Sequence, residues 1–208
     1  MSKTKIELTR GERTRALIIQ AAHQLFIKQG YHGTSMRQIA DHAGISLGAV
    51  YNHFSGKEDV FKAVYFSYHP YNELLPALTK AQGDTIELFL HDAFNRTISV
   101  LKGRPDFLNL MFIEIVEFNS SHAPELISTL LPQGMAIIHQ VIEENPQRLR
   151  SIPPQMIIRT FVGWFFAFYF TDIIFTSSDL PSELHTDAQK HFIDIYLHGI
   201  LDNTKKDV

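Results

Sequence analysis

The chain has 208 residues, 45% of them hydrophobic, enough for one large or two small packed units. It contains no cysteine, which excludes disulfides and thiolate chemistry and fits a reducing compartment. The net charge of -3 is unevenly laid out: through Lys62 nine Lys/Arg stand against five acids, a net of +4, and afterwards ten stand against seventeen, a net of -7. A basic head on an acidic body is the footprint of a nucleic-acid module carried by something else.

The opening MSKTKIELTRGERTR is too polar for a signal peptide. Residues before Thr9 are expected to be mobile, with Lys3 and Lys5 available to phosphates. Thr9 and Glu12 form a capping box for a first helix. Leu17, Ala21 and Leu25, with Ile18, Ala22 and Phe26, give that helix a wide apolar stripe, and Gly30 ends it.

Residues 33–54 read GTSMRQIADHAGISLGAVYNHF, two short helices joined by a tight turn. Ser35 and Gln38 make a second capping box. Ile39, Ala40 and Ala43 supply an apolar face at helical spacing, and Gly44 stops the helix, because a left-handed backbone costs glycine nothing. Ile45 is expected to point back into the core and Ser46 to cap the second helix. Val50 and Phe54 bury one side of that helix, and the opposite side shows Leu47, Gly48, Ala49, Tyr51, Asn52 and His53. This is a helix-turn-helix whose second helix is free to enter a DNA major groove. Gly48 and Ala49 are small enough for close approach to base edges. Asn52 can pair bidentately with adenine, and Leu47 or Ala49 can touch a thymine methyl. Tyr51, His53 and Lys57 stand as phosphate donors that fix register without reading sequence. The plainer alternative is a helical hairpin with a polar surface.

Gly44 to Gly48 also matches G-x-S-x-G, the nucleophile elbow of hydrolases. That chemistry needs a strand leading into the serine, whereas Ser46 follows a helix and its glycine stop. No enzyme is expected.

The run AAHQLFIKQGYHGTSMRQIADHAGISLGAVYNHFSGKEDVF carries Gly30-Tyr31, Thr34-Ser35, Ile39-Ala40, Ala43-Gly44-Ile45-Ser46, Gly48, Tyr51, His53-Phe54 and Lys57-Glu58 in one register. From Leu17 to Tyr65 the chain thereby resembles the TetR family of bacterial transcriptional regulators, strongly over roughly a quarter of its length. The resemblance implies an all-α protein. Its parts would be a three-helix, homeodomain-like helix-turn-helix head over residues 1–55 and a helical effector-binding and dimerisation domain over 56–208, the helix from 56 serving as connector. It adds Thr34 and Ser35 to the phosphate contacts and Arg37 to the DNA-binding set. It also implies cytoplasmic action on a double-stranded DNA operator, as a homodimer that answers to a small-molecule effector, most often as a repressor, with no cofactor. The alternative carried with it is an architectural or cell-division DNA-binding protein on the same fold, without an effector.

Ser55 and Glu58 read as a third capping box, opening a helix through Val60, Phe61, Val64 and Tyr65. Pro70 and Pro76 should interrupt it, since neither can donate a backbone hydrogen bond. Further helices are expected at residues 85–102, 106–119, 123–144, 154–175 and 187–203, with Pro132 kinking or splitting the third. The apolar run Thr160 to Thr171 lies between Arg159 and Asp172 and is shorter than the ~20 residues of a membrane span. The last two helices are apolar over too much of their circumference for one buried surface. The family resemblance assigns them to a four-helix dimer interface, and the bland reading is a central helix buried in a monomer.

Phe89, Phe107, Met111, Phe118, Trp164, Phe165 and Phe168 are the expected lining of a pocket for an apolar or aromatic effector. A packed core would use the same residues. Glu114 falls inside an apolar arc, and a buried carboxylate needs a partner: a cationic effector, or Arg96, Arg104 or Arg159, structural pairs being the commoner case. The eleven histidines show no helical zinc spacing. His191 and His198, with Asp194, read as a solvated face.

Overall fold

The computed structural model describes residues 9–146, 148–176 and 181–201. Among them are ten α-helices and one 3-10 turn, Ser182–Leu184. α1 (Arg10–Gln29) starts on the expected capping box: the Thr9 hydroxyl accepts the Glu12 amide at 3.2 Å and the Glu12 carboxylate accepts the Thr9 amide at 2.7 Å. α2 (Met36–Ala43) is capped the same way by Ser35 and Gln38 and stops at Gly44, whose φ of 68° is left-handed. α3 (Leu47–Tyr51) is capped by the Ser46 hydroxyl, which accepts the Ala49 amide at 3.2 Å. It is shorter than expected, with Asn52 as its C-cap and His53 in the turn beyond.

α4 (Lys57–Tyr68) corrects the expected Ser55–Glu58 box. Gly56 takes the N-cap, so Asp59 becomes the third helical residue, and its carboxylate accepts the Ser55 amide at 3.0 Å and hydroxyl at 3.3 Å. Pro70 separates α4 from α5 (Tyr71–Thr79), a helix not anticipated from the sequence. Pro76 lies inside α5 and removes only the one amide that would reach back a turn. α6 (Ile86–Lys102), α7 (Phe107–Phe118), α8 (Ala123–Glu144) and α9 (Pro154–Thr176) have ends within one residue of those expected, and Pro132 does not split α8. α10 (Ala188–Ile200) starts as expected; the anticipated end at Asn203 lies outside the described residues, as do Lys3 and Lys5. α9 continues past Arg159 and Asp172, and its 23 residues, which include an 18-residue stretch of mean hydropathy 1.4, make it long and apolar enough to cross a membrane by length and composition.

The chain packs as two units, Met1–Pro70 with Arg104–Ile127, and Tyr71–Gly103 with Ser128–Val208. The packing boundary therefore differs from a cut at 55/56: α4 and α7 both belong with α1–α3. In the first unit Ile18, Ala22, Ile39, Val50, Val60, Phe61 and Val64 are fully buried, with Phe26 and Phe54 nearly so. Each large side chain contributes roughly 1.5–3 kcal/mol by leaving water. Phe61 stacks on Phe118 at 4.7 Å, and Phe118 meets Tyr31 edge-on at 4.9 Å, which seats α7 on α1 and α4. Lys62 and Glu125 form an ion pair (2.7 Å) along the same seam, where the His23 and His32 rings also meet the carboxylates of Asp106 (3.5 Å) and Glu117.

The second unit is centred on aromatic rings. Phe94 packs against Trp164, Phe165 and Phe168 with centroids 5.1, 5.4 and 4.8 Å away. Trp164 stacks on Tyr196 at 4.7 Å and donates its indole N–H to the Phe192 carbonyl at 2.8 Å, fastening α9 to α10. Arg150 closes the end of α10, its amide on the Ile200 carbonyl and its guanidinium on that of Gly199, both at 2.8 Å.

Candidate nucleic-acid interface

The α2–turn–α3 segment rests on its buried side: Val50 is fully buried and Phe54 is 2% exposed, with Ile45 half-buried above them. The other side of α3 is open. Leu47 and Tyr51 are 39% and 53% exposed, Gly48 and Asn52 are exposed, and Ala49 and His53 are half-buried. A Cβ built on Gly48 would meet nothing within 4 Å, so the helix offers a smooth backbone surface there. Arg37, on α2, is also exposed. The structure thus brings Arg37, Leu47, Gly48, Ala49, Tyr51, Asn52 and His53 together on one accessible head. Ser46 spends its hydroxyl capping α3, and a helix and turn precede it, so the context of a nucleophile elbow is missing.

The expected phosphate contacts divide. Ser35 is exposed at the start of α2, although its hydroxyl is engaged in the capping box. Thr34 departs from the expectation: its side chain is 2% exposed and its hydroxyl donates to the Gly30 carbonyl at 2.9 Å. Lys57 departs too. Its ammonium donates to the carbonyls of Tyr31 (2.8 Å) and Thr34 (2.9 Å) and lies 4.2 Å over the Tyr31 ring. Partial burial holds the Lys57 pKa below the ordinary lysine range, against the pull of Glu117. The Tyr31 phenol is pushed up, first by burial and then by Glu58 and Glu117. α4, α1 and the corner before α2 are fastened by this one lysine.

The expected effector residues fall in different units. Phe107, Met111, Glu114 and Phe118 belong to the first, and Phe89, Trp164, Phe165 and Phe168 to the second. In the second unit Trp164, Phe165 and Phe168 fill an aromatic core ring against ring. A cavity of about 400 Å³ lies nearby, with Phe168 and Ile98 in its wall beside Lys102, Lys190, Asp172 and Asp187. Its lining is far more polar than that anticipated for an apolar effector.

Glu114 is 1% exposed and does have an internal partner, but a histidine instead of Arg96, Arg104 or Arg159. One carboxylate oxygen accepts the His122 amide at 2.8 Å and the other lies 2.8 Å from His122 Nδ1. Arg96 is engaged with Asp92 at 2.7 Å. Burial, assisted by the Glu114 charge, pushes the Tyr65 phenol up to about 12. His122 was missed because it follows α7 in a turn where Asn119 and Ser120 both have positive φ, beyond the reach of helical periodicity. Arg15 was missed as well. It lies one turn of α1 beyond Gly11, and its guanidinium sits 4.9 Å over the Phe54 ring.

Residues 18–64 match the family of bacterial regulatory proteins called tetR. Over 60 residues the chain is 48% identical to the HTH-type transcriptional regulator SrpR of Pseudomonas putida, a match covering 28% of each chain. Over 64 residues it is 38% identical to the HTH-type transcriptional repressor BepR of Brucella suis, covering 31% of this chain and 29% of that one. These matches span less than a third of the relatives' own lengths. A crystal structure from Mesorhizobium loti assigned to the TetR-family transcriptional regulators superimposes with a TM-score of 0.67 at 27% identity, over 94% of this chain and all of that one.

Proposed function

The chain belongs to the TetR family of bacterial regulatory proteins, and on that premise we propose that it is a sequence-specific DNA-binding transcriptional regulator, acting in the cytoplasm as a repressor. The observation that carries this is the open face of α3, Leu47 to His53, over a fully buried Val50. Such a helix is shaped to enter a major groove, with small residues where the bases come nearest. Selection from a randomised duplex pool tests it. The protein should enrich one motif, and a pool left unchanged after several rounds would refute the reading.

The reading includes a homodimer through α9 and α10. Ile193, Tyr196, Leu197 and Ile200 turn α10 inward, which leaves Ile195 at 69% exposed and Gly199 open on the other side. On α9, Met156 and Val162 are 43% and 59% exposed, and Gly163 and Ala167 are exposed beside them. Apolar and small residues at helical spacing on two adjacent helices suit close packing against a second copy. A two-fold dimer reads a palindrome or near-palindrome.

The reading also includes release by a small effector bound in the helical body. The ligand moves the equilibrium only by its differential affinity for the two states. The charged lining around Ile98 and Phe168 favours a small polar molecule with an apolar part over a wholly apolar one. The filled aromatic core of the second unit favours a second reading, an architectural DNA-binding protein with no effector. Operator binding measured against a metabolite library separates the two, since only the first is weakened by a ligand.

A further inference from the structure

The cations that the head offers to a DNA backbone are not all those singled out by position. Lys57 commits two of its three N–H donors to carbonyls of its own chain, and Lys62 is paired with Glu125. Arg15 stands differently. It is exposed, makes no ion pair among the described residues, and holds its guanidinium 4.9 Å over the ring of Phe54. Phe54 is itself 2% exposed and locked in the core. One helical turn earlier, a Cβ on Gly11 would lie 3.9 Å from His53 Cε1, an ordinary contact. The Gly11–Arg15 edge of α1 therefore runs along His53 and Phe54, the turn by which the chain leaves α3.

We propose that Arg15 is a DNA-backbone contact of this protein, presented by its position over the Phe54 ring, and that Lys57 is a positioning residue for the corner between α1 and α2. The inference rests on the DNA-binding reading above. A helix seated in the major groove has phosphates along both rims, and the residues that flank its end reach them first. A guanidinium held over a ring spends no conventional hydrogen bond on it, and its N–H groups match two phosphate oxygens at once. The cation–π contact also favours one placement of the side chain beforehand, so less rotamer freedom is lost on binding. Lys57 lacks that freedom: moving its ammonium to a phosphate would strip hydrogen bonds from the Tyr31 and Thr34 carbonyls.

The test measures binding of the full chain, Arg15→Gln, Arg15→Lys and Lys57→Gln between about 50 and 200 mM salt. The probes are a duplex enriched by the wild type from a randomised pool and an unrelated duplex of mixed sequence. Arg15→Gln keeps a planar group over Phe54 without the charge. It should weaken both duplexes by the same several-fold factor, flatten the log–log salt slope by about 0.9 for each Arg15 on the DNA, hence about 1.8 for a bound dimer, and leave the melting temperature unchanged. Arg15→Lys should restore the slope, because it restores the charge. Lys57→Gln should keep the wild-type slope while lowering the melting temperature. A wild-type slope in Arg15→Gln, or a loss confined to the enriched duplex, would overturn the assignment; a flattened slope in Lys57→Gln alone would return the role to Lys57. A wild type that enriches no duplex is a distinct result, because it removes the DNA-binding reading and the inference with it.

Discussion

Glu114 holds His122 twice, through the backbone amide and through the ring, both at 2.8 Å in a site almost closed to water. The pair ties α7 to the turn that precedes α8 and faces the ring of Phe118, 5.1 Å from that of His122. Removing one side of such a pair strands the other. Glu114→Ala should destabilise the protein by about 3 kcal/mol, the scale for breaking a buried pair. Glu114→Gln should cost less, since its amide oxygen still accepts the His122 amide. Denaturant unfolding with an unchanged slope checks this, and near wild-type stability in Glu114→Ala would contradict it.

His69 gives the fold an acid-sensitive contribution. Burial lowers its pKa from 6.5 to about 4, and burial of His23 acts in the same direction against the attraction of Asp106. Between those two pH values the unfolded chain binds a proton at residue 69 that the folded chain refuses. The contribution is thus fully present above pH 6.5 and is lost as pH falls toward 4. His69→Phe should flatten the pH dependence of the melting temperature over that window. An unchanged profile would show that His69 does not set it.

The dimer reading makes Gly199 a sensitive position. A Cβ there meets nothing within 4 Å in its own chain, so Gly199→Trp should leave the protomer folded. In the proposed dimer the indole would push the paired helices apart. Sedimentation at micromolar concentration should give a dimer for the wild type and a monomer for the variant, with operator binding lost in parallel. A monomeric wild type would contradict the dimer.

Much of the architecture was legible because capping chemistry and apolar period act locally. The boxes at Thr9–Glu12 and Ser35–Gln38 and the stop at Gly44 depend on a few neighbouring residues. α5 was not legible, because Pro70 and Pro76 read as breaks while the structure sacrifices a single amide. The face of α3 followed from its period, whereas the roles of Lys57 and Arg15 depend on residues well separated in sequence: Lys57 meets Tyr31 and Arg15 meets Phe54. An aromatic residue on a helix reads alike whether it lines a pocket or fills a core, so Trp164 and Phe168 could not be assigned from sequence alone.

Trp164 is the chain's sole tryptophan and is bonded to Phe192 and stacked on Tyr196. Its fluorescence should therefore report the packing of α9 on α10. A ligand that releases DNA by altering that packing should change the emission and weaken operator binding by roughly 5–150-fold, the usual range of such coupling. Release of DNA with no change at Trp164 would mean that coupling bypasses the α9–α10 contact.

The central claim is that the open face of α3 reads DNA, and Gly48→Glu tests it most directly. The site has free space around its Cβ, so the substitution should leave the melting temperature close to wild type. On DNA it would set bulk and negative charge against the bases. Titration of both proteins onto the duplex enriched by the wild type should show tight binding by the wild type and none by Gly48→Glu. Undiminished binding by a folded Gly48→Glu would contradict the claim that this face enters the groove.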